Sequence, residues 1–398
     1  MIILLDVDGV LVESRAYRLG LQQTVAYFGH RLGLGATPPT LSAADIEVYE
    51  SQNITVEWES GAISVAALLL ERWRAAPFTL SPPATLETVL ATAAAHPINL
   101  PSVDFSAVAR RVGALMSHQP RAAPAALSMF LKELTTYPPE AQVLVPCLHE
   151  LLDNCASITQ APVTRVFQNF ILGHRQYATT YGLPPLFTSE PLLETLDRPL
   201  VSPRIAQWLL DTQRSGQAQI ALYTARPSLP PVEDASPQHS GYTPEAEMAR
   251  HLVGLDSLPL IGAGKMAWLA QQSGQPLAGL LKPAPAHALA ALAAAVSGHE
   301  SAALQAALTL QISQRLVDPL TNCVGHSVHV FDDSSGGLTA VREAVALLER
   351  HSQPTPVKLH GIAAIGSPKY TALSKIADTV HADINLALQA IAEGKIEA

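Results

Sequence analysis

Four short segments of this chain deliver carboxylates, a hydroxyl and an ammonium at the points where apolar runs stop. The first, MIILLDVDGV (residues 1–10), carries the run Ile2–Leu5 into two aspartates one residue apart, Asp6 and Asp8, and then Gly9. A buried strand over residues 2–5 ends at a sheet edge, so both carboxylates project into the crevice beyond the carboxyl ends of the strands, where open α/β sheets bind ligands. Gly9 lets the chain turn sharply there. Two carboxylates this close suit a division of labour, one ionised as nucleophile and metal ligand, the other passing a proton. The second segment, QIALYTARP (219–227), releases Thr224, whose hydroxyl can bond a phosphate oxygen, and then Arg226, which either touches a substrate phosphate or serves the turn itself. The third, LLKPAPAH (280–287), sets Lys282 between an apolar run and a proline-punctuated helix start. Its ammonium is a point charge suited to phosphate and to a neighbouring carboxylate. The fourth, HVFDDSSGG (329–337), delivers Asp332 and Asp333 into a Gly/Ser turn before a helix over 338–350. Paired carboxylates at a strand end read as a site for a hard cation.

Taken in this order, the segments resemble the four motifs of the haloacid dehalogenase (HAD) superfamily. The resemblance covers residues 1–14 and 202–388; LHGIAAIG (359–366) is similar to the family's sixth-strand region and ADTVHAD (377–383) to the closing stretch of the subfamily with helical caps. It implies an α/β fold, a Rossmann-like parallel sheet with helices on both faces, and a Mg²⁺-dependent phosphatase acting on a small phosphorylated metabolite through an aspartyl-phosphate. Carried over by residue, Asp6 is the nucleophile and Asp8 the general acid/base. Thr224 holds the transferring phosphoryl group, and Lys282 neutralises charge between it and Asp6. The resemblance assigns Mg²⁺ to the Asp6 carboxylate, the Asp8 backbone carbonyl and Asp332, with Asp333 ordering a water or lysine beside it. Members that displace halide lack an aspartate at the position of Asp8, so this chain resembles the phosphatases and phosphomutases. Which of these two it is stays open, as does a binding or scaffold protein that keeps the site, although intact chemistry at all four segments counts against the last.

A HAD core with its insertion after the first motif has a C1-type, helical cap, so the expected division is a core of 1–14 and 201–398 with an enlarged cap of 15–200. Tyr17, Leu21, Val25 and Phe28 recur at helical spacing at its start. The cap opening, with Ser14, Tyr17, Arg18, Thr24, Asp45, Asn53 and Trp58, is similar to a poorly characterised subgroup, departing from it at Val56-Glu57-Trp58, where those chains read Asn-Asp-Trp. Proline pairs at 38–39, 82–83, 138–139 and 184–185 punctuate the helices. Residues 76–126, poor in charge, read as an elaboration. Within 166–183, Phe167, Phe170, Ile171, His174, Tyr177 and Tyr181 recur at helical spacing with Arg165 and Arg175 interleaved. This reads first as a cap-core helix, with Arg175 and Tyr177 as the substrate contacts if it faces a ligand.

Two further insertions fall in the core: a Pro/Ser/Asp/Gly-rich stretch over 228–243, read as a loop beside the site, and 298–325, whose amphipathic part 301–316 reads as a surface helix or a homodimer contact. Lys265, in GAGK (262–265), lacks the Lys-Pro-x-Pro context and reads as a solvated helix residue; the glycines are too few for a nucleotide fingerprint. Over the 398 residues, hydrophobic types make up 48% and charged types 15%, the pattern of a globular, helix-rich chain. A net charge of −9 gives a nucleic-acid backbone or anionic membrane no attraction. The apolar opening has no basic n-region, and no apolar run reaches spanning length. Cys147, Cys155 and Cys323 are sparse and odd in number, which fits a reducing cytoplasm; Cys147 and Cys155 beside His149 lack metal-ligand spacing and read as buried thiols. No internal repeat is visible.

Overall fold

The computed structural model describes residues 1–80, 84–117, 121–233, 241–351 and 354–394. Pro82, Pro83 and the centre of the 228–243 stretch lie outside the described residues. The chain divides into two compact units, Met1–Ser14 with Leu196–Ala398, and Arg15–Thr195.

In the first unit, β1 (Ile2–Leu5) is apolar throughout because both of its faces are covered. The remaining strands are β2 (Val12–Glu13), β3 (Arg198–Pro199), β4 (Gln219–Tyr223), β5 (Leu260–Ile261), β6 (Val328–Asp332), β7 (Val357–Ile362) and β8 (Thr379–His381). Six of them form one sheet in the order β5-β4-β1-β6-β7-β8, with every pairing parallel. The α/β fold class expected from the sequence is therefore the one observed. Strand alternation sends Ile2 and Leu4 into a core with Val328, Val330 and the alanine-rich helix Pro285–Ser297. Ile3 and Leu5 go to the opposite core, with Leu222, Phe331 and residues of the helices Pro203–Arg214 and Ile384–Ala392. From β1 the chain builds one side of the sheet through β4 and β5 and then crosses to β6, so β1 and β6 flank the point where the winding reverses. The short pair β2–β3 joins Val12 to Pro199 and Glu13 to Arg198, just where the chain leaves this unit and returns to it. The 301–316 segment lies in the helix Glu300–Ser313, whose Ala303, Leu304, Ala307 and Leu310 are buried in the same core as Pro285–Ser297, so its apolar stripe is used within the unit.

The Arg15–Thr195 unit is helical. Its helices Ala16–Arg31, Glu57–Ala75 and Pro162–Tyr181 pack on one another, closely enough that a Cβ at Gly20 would press on Ile171. Arg72, fully buried, donates to the carbonyls of Leu32 (3.1 Å), Ala76 (2.6 Å) and His96 (2.5 Å), tying chain ends that have no helical partners. The continuous helical spacing read over 166–183 hides a break: Gly173 takes φ 71°, and a Cβ there would strike the Pro191 backbone. Tyr177 is fully buried within this unit, its hydroxyl near Arg165 Nε at 3.5 Å. Its expected role as a substrate contact is corrected to a core role, while Arg175 is exposed. Residues 76–126 also contribute core, with Leu86, Val89, Leu90 and Phe105 buried. The three cysteines are free and buried, and burial pushes their thiols up to about 12 for Cys147 and Cys323 and about 11 for Cys155. Among the described residues no helix is long and apolar enough to cross a membrane.

Three histidines sit inside the sheet unit. His287 Nε2 meets the Ile261 carbonyl at 3.1 Å, and His329 Nδ1 meets His360 Nε2 at 3.1 Å across β6 and β7, with Phe331 stacked on His360. Burial, aided by Lys282, lowers His287 to about 3; burial also lowers His329 to about 4 and His360 to about 3. Below pH 6.5 the unfolded chain therefore takes up protons that the folded chain refuses until about pH 3–4. Stability is expected to fall through this window as pH drops, by about 1.4 kcal/mol per pH unit for each ring. Urea unfolding at pH 7 and pH 5 measures this, and equal midpoints at the two pH values would contradict three neutral buried rings.

Candidate functional site

β1 and β6, adjacent and parallel, bring Asp6 and Asp332 to the same end of the sheet; the Asp6 amide donates to the Phe331 carbonyl at 2.9 Å. Lys282, from the loop before the helix Pro285–Ser297, lies between them, with Nζ 3.1 Å from Asp6 Oδ1 and 2.8 Å from Asp332 Oδ2. The ammonium also sits 3.9 Å from the centre of the Tyr223 ring. All three charged groups are nearly dry. Burial and then the Asp332 charge push the Asp6 carboxyl well above the usual range, with Lys282 pulling it back. Burial alone would lower the Lys282 ammonium, but Asp332 and Asp6 more than reverse this. Asp332 is held from its other side, where Oδ1 accepts from the Ser334 amide (2.8 Å) and hydroxyl (2.6 Å). Asp333 pairs with Lys369, at the start of the helix Pro368–Leu373, and this lysine is a partner that the sequence did not single out. Burial raises the Asp333 carboxyl against the pull of Lys369. Asp6, Asp332 and Asp333 offer oxygens within 4.8 Å of one another, an all-carboxylate donor set that suits a hard divalent cation.

Asp8 points into a second cluster. Arg226 donates to it from Nη2 at 2.5 Å and from Nε at 3.2 Å, and the Ser14 hydroxyl donates to it as well. The same Nη2 reaches Ser14 Oγ at 2.8 Å and Asp197 Oδ2 at 3.1 Å. Burial would raise the Asp8 carboxyl, but the Arg226 charge outweighs it and holds the group below its ordinary value. The Arg226 side chain is only 1% exposed and engaged by protein oxygens, so the phosphate contact expected for it is corrected to an internal role. Ser14 is the last residue before the chain leaves the sheet unit, and Asp197 the second after it returns. Asp197 escaped the sequence reading because no apolar run or motif announces it.

Thr224 directly follows β4, where its amide donates to the Ile261 carbonyl (3.1 Å) and its hydroxyl accepts from the Arg226 amide (3.1 Å). The chain beyond it is pressed against the turn at Gly262 and Gly264, since a Cβ at either would overlap Ser228. Close backbone approach is the reason for the GAG sequence. Lys265 follows, and its reading as a solvated residue is corrected: the side chain is 1% exposed, 3.0 Å from Glu247 Oε1 and 3.3 Å from Glu300 Oε2. Those glutamates accept the amides of Leu229, Val232 and Leu260, fixing the first part of the 228–243 stretch.

No protein-family profile matches the chain, and no curated protein matches it. Among solved structures, an X-ray structure from the Northeast Structural Genomics Consortium aligns over 100% of this chain and 99% of its own, with TM-score 0.67 and 15% identity. At that identity the likeness is one of fold. A crystal structure of a hydrolase from Pseudomonas syringae aligns over 98% of each chain at 12% identity, but its TM-score of 0.33 is too low to bear on this protein.

Lys265→Met should expose the cost of the third buried ion cluster, because Glu247 and Glu300 would then face each other without a cation. The expected loss is about 3–5 kcal/mol of folding stability. Thermal or urea unfolding reads it, and a variant as stable as the parent would show that the two glutamates escape to water.

Proposed function

We propose that this protein is a Mg²⁺-dependent phosphatase of the HAD type, hydrolysing a small phosphate monoester through an aspartyl-phosphate. The observation that supports it best is the convergence of Asp6, Lys282 and Asp332 at adjacent strand ends, with Asp333 beside them. These residues lie far apart in sequence and share no packing role that would require charge. The donor set fits Mg²⁺: the Asp6, Asp332 and Asp333 carboxylates and the Asp8 backbone carbonyl would hold it. Bound there, Mg²⁺ would neutralise charge on the phosphoryl oxygens. In the first step an Asp6 oxygen bonds to phosphorus and the ester P–O bond breaks; because Arg226 holds Asp8 ionised in the free site, Asp8 first takes up a proton from the protonated phosphate monoester and passes it to the departing oxygen. In the second, carboxylate Asp8 takes a proton from water, whose oxygen attacks phosphorus and frees Asp6 and inorganic phosphate. Lys282 balances charge on Asp6 and the transferring group, and the Thr224 hydroxyl orients a phosphoryl oxygen. Arg226 keeps the Asp8 carboxylate in place between the two steps.

Three measurements test this reading. Asp6→Asn, close to isosteric, should fold like the parent yet lose activity on the order of 10⁴–10⁶-fold, the scale on which removing a nucleophile acts; parent-like turnover in a pure preparation would remove Asp6 from the role. Activity should vanish with EDTA and return with Mg²⁺, whereas chelator-resistant turnover would count against the carboxylate cation site. Across a panel of sugar, amino-acid and nucleotide monophosphates, hydrolysis requires one inorganic phosphate per ester consumed. Isomerised sugar phosphate without phosphate release would replace the phosphatase with a mutase.

A further inference from the structure

A second group of potential ligands lies away from the carboxylates, at the β7–β8 edge of the sheet. β7 and β8 run parallel with His360 opposite Thr379, which brings His381, two residues on, diagonally across to the same side. His360 Nδ1 and His381 Nε2 are 3.3 Å apart, and Thr379 Oγ1 is 2.9 Å from the first and 3.1 Å from the second. Hydrogen bonding cannot satisfy all three sides of this triangle. The hydroxyl proton serves one nitrogen, an N–H can serve the hydroxyl oxygen, and the remaining nitrogen–nitrogen side has no proton of its own. A single cation inside the triangle would satisfy every side at once. Two imidazole nitrogens about 2.0–2.1 Å from a tetrahedral zinc ion stand roughly 3.3–3.4 Å apart, which is the separation found here.

The surroundings fit as well. His360 Nε2, on the far side of the ring, meets His329 Nδ1 at 3.1 Å, and this contact fixes the ring in the way outer partners orient metal-bound histidines. Phe331 stacks on the same ring at 4.5 Å. His360 is buried, His381 half-buried and Thr379 exposed, so an ion can arrive from solvent on one side only. Burial keeps His360 and His381 below the ordinary imidazole range, leaving both neutral with a lone pair to offer at neutral pH. Asp383 adds negative charge near His381.

We propose that His360, His381 and Thr379 form a nitrogen-based binding site for a zinc-class divalent ion, with two imidazoles as the strong ligands and the threonine hydroxyl and water completing the shell. Imidazole selects zinc, copper and nickel over magnesium, whereas the Asp6–Asp332–Asp333 set has only hard oxygens, so the two sites take different ions. This inference does not depend on the phosphatase reading.

The test uses the full chain with Asp332→Asn as background, which weakens zinc binding at the carboxylates. Zn²⁺ titrated against a chromophoric indicator should show one bound equivalent, lost on His381→Ala. Cu²⁺ at the same site should show in its electron paramagnetic resonance spectrum coupling to two imidazole nitrogens, reduced to one by His381→Ala. Without the Asp332 change, His381→Ala should keep the parental circular dichroism. Zinc stoichiometry unaffected by His381→Ala, or a copper spectrum of the His381-containing protein without nitrogen coupling, would overturn the site. Should His381→Ala fail to fold, the copper spectrum of the protein retaining His381 decides the matter by itself.

Discussion

An ammonium held between two buried carboxylates is the contact on which the working end of the sheet depends. Moving each charge out of water costs several kcal/mol, and only mutual neutralisation with good geometry offsets it. Lys282, Asp6 and Asp332 come from three separate segments, so the balance holds only when β1, β6 and the lysine loop have all reached their places. The strand order supplies that meeting point, because β1 and β6 are neighbours on either side of the winding reversal. Asp6 and Asp332 already outnumber the single ammonium of Lys282, and Asp333 adds a third carboxylate whose own partner Lys369 is half-exposed. Excess negative charge in a dry site favours uptake of a proton or a cation, and burial together with Asp332 raises the Asp6 carboxyl accordingly.

Among the described residues of this unit the pattern of one cation between two acids occurs three times, and the repeats hold the surrounding chain. Arg226 lies between Asp8 and Asp197 and also reaches Ser14, so the two stretches of the sheet unit at which the chain leaves and returns share a partner with the residue two positions beyond Asp6. Lys265 lies between Glu247 and Glu300, whose carboxylates also accept the Leu229 and Val232 amides just after the Thr224 turn. Among the described residues, Asp6, Asp332 and Asp333 are the acidic or metal-ligating side chains that gather three at a time with oxygens within 4.8 Å of one another. Charge alone does not separate the clusters: once Lys369 is counted with Asp333, each holds one more carboxylate than it has cations.

What the sequence made legible followed from where apolar runs stop. Asp6, Thr224 and Asp332 were visible because strands buried on both faces read as unbroken apolar stretches, and Lys282 because prolines mark the helix behind it. Asp197 was invisible for the converse reason: it stands beside the two-residue strand β3, too short to leave a pattern. Lys265 was legible but misread. It shares a helical face with Leu269, four residues on and fully buried, and that spacing marks an inward side chain whatever its charge. Tyr177 is buried, as the first reading of its segment as a cap-core helix had it, but the same spacing hid a break. Apolar spacing runs undisturbed through Gly173, where the backbone departs from helical geometry, so periodicity alone could not show the break or settle which way the second half faces.

Atoms that are missing define the site as firmly as those present. Gly9 follows Asp8 with φ 71°, and a Cβ on it would occupy the place of the Asp333 carboxylate. Gly337, in the first turn of the helix after β6, would with any side chain overlap the carboxylate of Asp332. Each glycine thus makes room for an aspartate that the neighbouring strand end delivers, and together they let two acidic turns close on each other to a distance that charge repulsion alone would forbid. A larger residue at either position would move a carboxylate outward, toward water, where it is better solvated and less able to share a cation. The electrostatic demand at the crevice therefore rests on steric vacancies in the backbone, and DVDG and DDSSGG carry their glycines for the same reason as their aspartates.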